Sequence, residues 1–74
     1  MNIYYNDGTL FVNFSDTINN DNISLLKRRV FTILDDYDIG NIVLKIISNN
    51  KNNVLIDDFI KEYHKKYQGN ILIK

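Results

Sequence analysis

The stretch Asn41-Ile42-Val43-Leu44-Lys45-Ile46-Ile47 decides the fold. A run so nearly all apolar reads as an interior strand, parallel to a neighbour and reached through a helical crossover, because only such a strand is buried on both sides. The sheet's centre is expected here. Working outward, the residues on each side change period. Upstream, Ile23, Leu26, Val30, Ile33, Leu34 and Tyr37 fall on one helical stripe, with Lys27, Arg28 and Asp35 turned away from it. That spacing predicts an amphipathic helix of about four turns from Asn22, capped by Asn20, Asp21 or Asn22 and stopped by Gly40. Downstream, Ile56, Phe59, Ile60, Tyr63 and Tyr67 repeat at three and four residues, predicting a helix over 54–68 with Asn53 as cap and Gly69 as stop. Asp57 with Lys61 and Glu62 with Lys66 are acid-first pairs one turn apart, each contributing about 0.2–0.5 kcal/mol.

At the amino end, Ile3-Tyr4-Tyr5 and Thr9-Leu10-Phe11-Val12-Asn13-Phe14 flank Asn6-Asp7-Gly8, and Asp-Gly supplies the positive backbone angles of a tight hairpin. Leu10, Val12 and Phe14 then point one way, Phe11 and Asn13 the other. Residues 70–74, Asn-Ile-Leu-Ile-Lys, form a last short strand. The polar runs Asn19-Asn20-Asp21-Asn22 and Ser48-Asn49-Asn50-Lys51-Asn52-Asn53 read as loops, since Asn and Asp bond to nearby backbone.

The order is β-β-α-β-α-β, an α/β (α+β) arrangement in a single small domain over 1–74, with a four-stranded mixed sheet. Two crossovers of the usual hand place both helices on one face. The other face is left open. If Leu10, Val12, Leu44 and Ile46 meet the helices, alternation sends Phe11, Val43, Ile47 and Leu72 to the open side, with Lys45 among them. These five are the expected interaction surface, and the basic triplet Lys27-Arg28-Arg29 is a second candidate. The carboxyl-terminal strand adds a sheet edge that invites pairing.

The 74 residues carry nine basic and nine acidic side chains, a formal net charge of zero and a pI near 6.5. Such balance draws the chain neither to nucleic acid nor to anionic membranes. The 45% hydrophobic and 24% charged fractions are those of an ordinary folded chain. Without an apolar run of about 18 residues or a basic, apolar leader, the expectation is a cytoplasmic chain that does not cross a membrane. A domain of this size buries only about 60% of its unfolded surface, so association, including dimerisation, would add useful stability.

Over most of the chain, Leu10-Phe11-Val12-Asn13-Phe14-Ser15-Asp16-Thr17-Ile18, the first helix and Asp38-Ile39-Gly40-Asn41-Ile42-Val43-Leu44-Lys45-Ile46 resemble the STAS domain of anti-sigma-factor antagonists. Gln68-Gly69-Asn70-Ile71-Leu72-Ile73 is similar to the family's glycine step into its next strand. The resemblance implies a regulatory protein-binding scaffold. It also implies a phosphorylatable serine before the second helix, where this chain has Asn50-Lys51-Asn52-Asn53, with Ser48 too early. The resemblance also leads to the expectation of a sheet shorter than the family's, without its further helix and strand. A minimal domain without the switch is therefore expected.

Chemistry is sparse. Cysteine is absent, and His64, the sole histidine, falls on the side of Asp57, Lys61 and Lys65, away from the apolar stripe. Metal binding would rest on carboxylates alone, as in Asp35, Asp36 and Asp38. Three glycines make no phosphate-binding pattern. No catalytic residue, metal, cofactor or small-molecule ligand is expected. The expected function is a non-enzymatic module docking to a partner protein or to itself. The alternatives are a phage- or mobile-element-type inhibitor that acts by mimicry through Asp35, Asp36 and Asp38, and an enzyme subunit contributing Asp57 and Asp58.

Overall fold

In the computed structural model, which describes residues 1–47 and 53–74, the chain runs β1 (Asn2–Asn6), β2 (Thr9–Phe14), α1 (Asn20–Asp36), β3 (Asn41–Ile46), α2 (Val54–Lys66) and β4 (Asn70–Ile73). The sheet order is β1-β2-β3-β4, with β1 antiparallel to β2 and the remaining neighbours parallel. This is the mixed sheet expected from the sequence. The Ser48–Asn52 part of the expected loop, Ser48 included, lies outside the described residues.

The hairpin closes through Asp7 and Gly8, at φ 50° and 79°, between the paired residues Asn6 and Thr9. Two consecutive left-handed residues match the twist of the flanking strands, which is why Asp-Gly serves here. From that turn the register follows. Alternation puts Leu10, Val12 and Phe14 of β2 and Ile42, Leu44 and Ile46 of β3 into the core, each at most 2% exposed.

Both helices lie on that side, since each consecutive crossover steps the same way along the sheet. α1 begins at Asn20, two residues earlier than expected. Asn19 is its cap: its side chain accepts from Asn22 N–H at 2.8 Å, while Asn22 Nδ2 turns back to donate to the Thr17 carbonyl at 2.7 Å. The helix stops at Asp36 rather than running on to Gly40, because Tyr37 turns extended (φ −132°, ψ 145°) while its N–H still donates to the Ile33 carbonyl. Tyr37 therefore leaves the stripe and is 67% exposed. Phe31, off the expected stripe, is buried instead and stacks on Phe59 of α2 at 5.7 Å. α1 packs against α2 as well as the sheet, so its apolar face is wider than a single stripe.

α2 is capped as expected by Asn53, whose side chain accepts from Leu55 N–H at 2.8 Å. It ends at Lys66, where Tyr67 turns extended. Gly69, at φ 151°, opens into β4, and a Cβ there would lie 2.5 Å from the Gly40 carbonyl oxygen and 2.7 Å from Tyr63 Oη. Only glycine lets the chain pass this close. Asn70 N–H then donates to the same Gly40 carbonyl at 3.0 Å and starts the β3–β4 ladder.

Candidate interaction surface

The strand pairings carry the open face of the sheet. Tyr4 pairs with Phe11, Phe11 with Val43, and Val43 with Leu72, so one cross-strand row runs through all of β1, β2, β3 and β4 on the side away from the helices. Adjacent strands lie about 4.8 Å apart, so the row is about 14 Å long. Tyr4 and Phe11 stack with ring centroids 5.0 Å apart and planes 10° off parallel. Tyr4 is 49% and Leu72 53% exposed, while Phe11 and Val43 are half-buried.

Polar rows flank it. On one side Asn6, Thr9, Asn41 and Asn70 line up; on the other Asn2, Asn13 and Lys45 do. Lys74 N–H donates to the Leu44 carbonyl and Ile46 N–H to the Lys74 carbonyl, so the ladder carries on past β4 and sets Lys74 beside Lys45. Ile47 follows on the same side, 60% exposed, its N–H donating to the Phe14 carbonyl at 3.0 Å. Among the described residues of this face the charges are Lys45 and Lys74, with no carboxylate side chain.

The structure thus brings Phe11, Val43 and Leu72 into one row and places Lys45 and Ile47 on the same face. Sequence reasoning missed Tyr4. The two-residue turn held the signal, because closing Asn6 on Thr9 sets Tyr4 opposite Phe11. The basic triplet sits elsewhere, on α1 behind the sheet. Lys27 Nζ lies 3.9 Å from Glu62 Oε2 of α2, whereas Arg28 and Arg29 are exposed. Lys27 faces the neighbouring helix and does not share one free patch with the two arginines.

The acidic candidates are divided as well. Asp35 Oδ1 accepts a 2.6 Å hydrogen bond from Tyr67 Oη, while Asp36 and Asp38 are exposed. Burial pushes the Tyr67 phenol up to about 12, aided by its hydrogen bond to Asp35 and by the negative charge there. Burial also raises Tyr63, whose hydroxyl has no hydrogen-bond partner among the described residues. Asp57 and Asp58 are exposed in the first turns of α2, and exposed His64 meets the Tyr63 ring edge-on at 5.1 Å. Among the described residues no three or more His, Cys, Asp or Glu side chains are grouped to hold a metal ion, and no helix is long and apolar enough to cross a membrane.

No known family model, curated protein or solved structure matches the chain.

Proposed function

We propose that this chain is a small, non-enzymatic regulatory module that docks an amphipathic segment of a partner protein on the open face of its sheet. The observation that carries this is the in-register row Tyr4–Phe11–Val43–Leu72. An apolar row bordered by polar ones has the shape of a recognition stripe, distinct from scattered surface apolar residues that need no explanation. Lys45 and Lys74 at its border favour a segment whose apolar positions are flanked by acidic ones. A contact one row wide falls short of the roughly 800 Å² per partner of a stable complex between whole proteins. It suits a short segment better than a second copy of the chain.

Kinship with STAS domains belongs to the same proposal and rests on element order and the glycine step at Gln68-Gly69. Mimicry through Asp35, Asp36 and Asp38 has less support, because the Asp35 carboxylate is engaged by Tyr67.

The test uses two synthetic helical peptides with the same leucine stripe, one flanked by glutamate and one by lysine, titrated into wild type and the Leu72→Asp variant. Amide NMR should show the glutamate peptide shifting residues of the open face, the lysine peptide binding more weakly and Leu72→Asp abolishing both. Leu72 is exposed, so the variant should fold, which circular dichroism checks. Equal binding to variant and wild type would overturn the surface. A monomer–dimer equilibrium removed by Leu72→Asp would replace the partner segment with a second copy.

A further inference from the structure

The helices cover less of the sheet than the strands span. α1 bridges β2 to β3 and α2 bridges β3 to β4, while β1 joins by a turn and brings no helix with it. The helix-side residues of β1, Ile3 and Tyr5, therefore overhang beside the carboxyl end of α1. Between them and that helix end lies a half-open cavity of about 420 Å³. This is within the roughly 300–1,000 Å³ range of small-molecule sites.

Its lining is of two kinds. The buried Leu10 and Ile39 and the half-buried Ile3 and Ile33 form an apolar floor. Tyr4, Tyr5 and Tyr37, 49%, 58% and 67% exposed, stand at the rim with Asp38. The Tyr5 hydroxyl accepts from Gly8 N–H at 3.1 Å, which holds that ring against the hairpin turn. Asp38 is the sole charged residue among the described residues lining the cavity. α1 ends at Asp36 with no basic residue in its last turn, so the carbonyl end of its dipole beside Tyr37 and Asp38 adds negative potential.

We infer that this cavity is a binding site for a small organic ammonium ion with an apolar body, the body on the aliphatic floor and the ammonium between Asp38 and the tyrosine rings. A floor of aliphatic side chains selects for hydrocarbon. Aromatic rings and one carboxylate at the mouth select for a cation over a neutral or anionic group of the same shape.

Phenethylammonium is the probe, with phenethyl alcohol and hydrocinnamate as neutral and anionic counterparts, titrated into the full chain and followed by amide NMR. The ammonium should shift Ile3, Leu10, Ile33 and Ile39 and bind about fivefold more tightly than the alcohol, the scale of one partly exposed charge contact. Hydrocinnamate should bind least. Asp38 is exposed, so Asp38→Asn should fold, lower ammonium affinity towards that of the alcohol and leave the alcohol unchanged. No shift at those residues, equal affinity of ammonium and alcohol for wild type, or ammonium binding unaffected by Asp38→Asn would each overturn the assignment. Leu72 does not line the cavity, so a failure here is distinguishable from a failure of the open-face reading, which Leu72→Asp tests.

Discussion

Tyr67 Oη donates to Asp35 Oδ1 at 2.6 Å, joining the residue that caps α2 to the last turn of α1 across 32 positions of sequence. The ring lies against Phe31 at 5.3 Å and against Tyr63 at 5.8 Å. Hydroxyl and ring therefore make separable contributions. Tyr67→Phe keeps the packing and removes the bond, and should cost about 0.5–1.5 kcal/mol at neutral pH in urea unfolding. The folded phenol is raised from 10.0 to about 12, so its contribution is full below pH 10 and is lost as pH rises through 12. Wild-type and Tyr67→Phe stabilities should accordingly converge across that window. A constant gap would show that the bond does not resist ionisation.

The stacked pair Tyr4 and Phe11 bridges β1 and β2 on the open face. A double-mutant cycle with Tyr4→Ala and Phe11→Ala should give a coupling of about 0.2–1 kcal/mol, as for cross-strand aromatic pairs. Strict additivity would mean that the rings touch without holding the strands together.

Gly69→Ala should destabilise by more than about 2 kcal/mol, because the new Cβ meets a backbone oxygen at a φ that side chains rarely adopt. Tyr63→Phe alone should be neutral or mildly stabilising, since it removes a buried hydroxyl with no partner among the described residues. It should not rescue Gly69→Ala: the Gly40 carbonyl would still stand 2.5 Å from the Cβ. Full rescue in the double variant would identify the hydroxyl as the real obstacle.

Asn19 and Asn53 each accept a backbone N–H in the first turn of their helices. Asn19→Ala and Asn53→Ala should each cost about 1 kcal/mol, and Asn→Ser at either place much less. The two caps share no hydrogen-bond partner, so the double variant should lose the sum. Thermal unfolding monitored by circular dichroism measures it.

The sheet was legible because its signals are local and redundant. Asp7-Gly8 fixes the hairpin, and the run from Ile42 to Ile46, apolar but for the exposed Lys45, marks the interior parallel strand. The helix ends were harder to read. Tyr37 and Tyr67 both continue a helical spacing, yet each turns extended, at ψ 145° and 151°. Tyr67 still reaches the core from that geometry and Tyr37 does not, a difference made by Phe31 and Asp35, which periodicity does not see. Ile39 is buried from a loop, and Phe31 from the side of α1 turned to α2, where it stacks on Phe59, remote in sequence. On the open face Phe11, Val43 and Leu72 follow from alternation alone, whereas Tyr4 needed the register and the cavity needed the whole arrangement of helices over strands.

β1 is the one strand that entered the sheet without a crossover, and this sets how the molecule breathes. Peeling it away breaks a single ladder and leaves the β-α-β-α-β unit whole, so its amides should exchange with solvent sooner than those of β3, at a free energy below that of global unfolding. Because β1 supplies Ile3, Tyr4 and Tyr5 to the cavity and Tyr4 also to the apolar row, both surfaces share a common wall. Whatever settles on either one will slow the fraying of that strand, and the second surface will feel it.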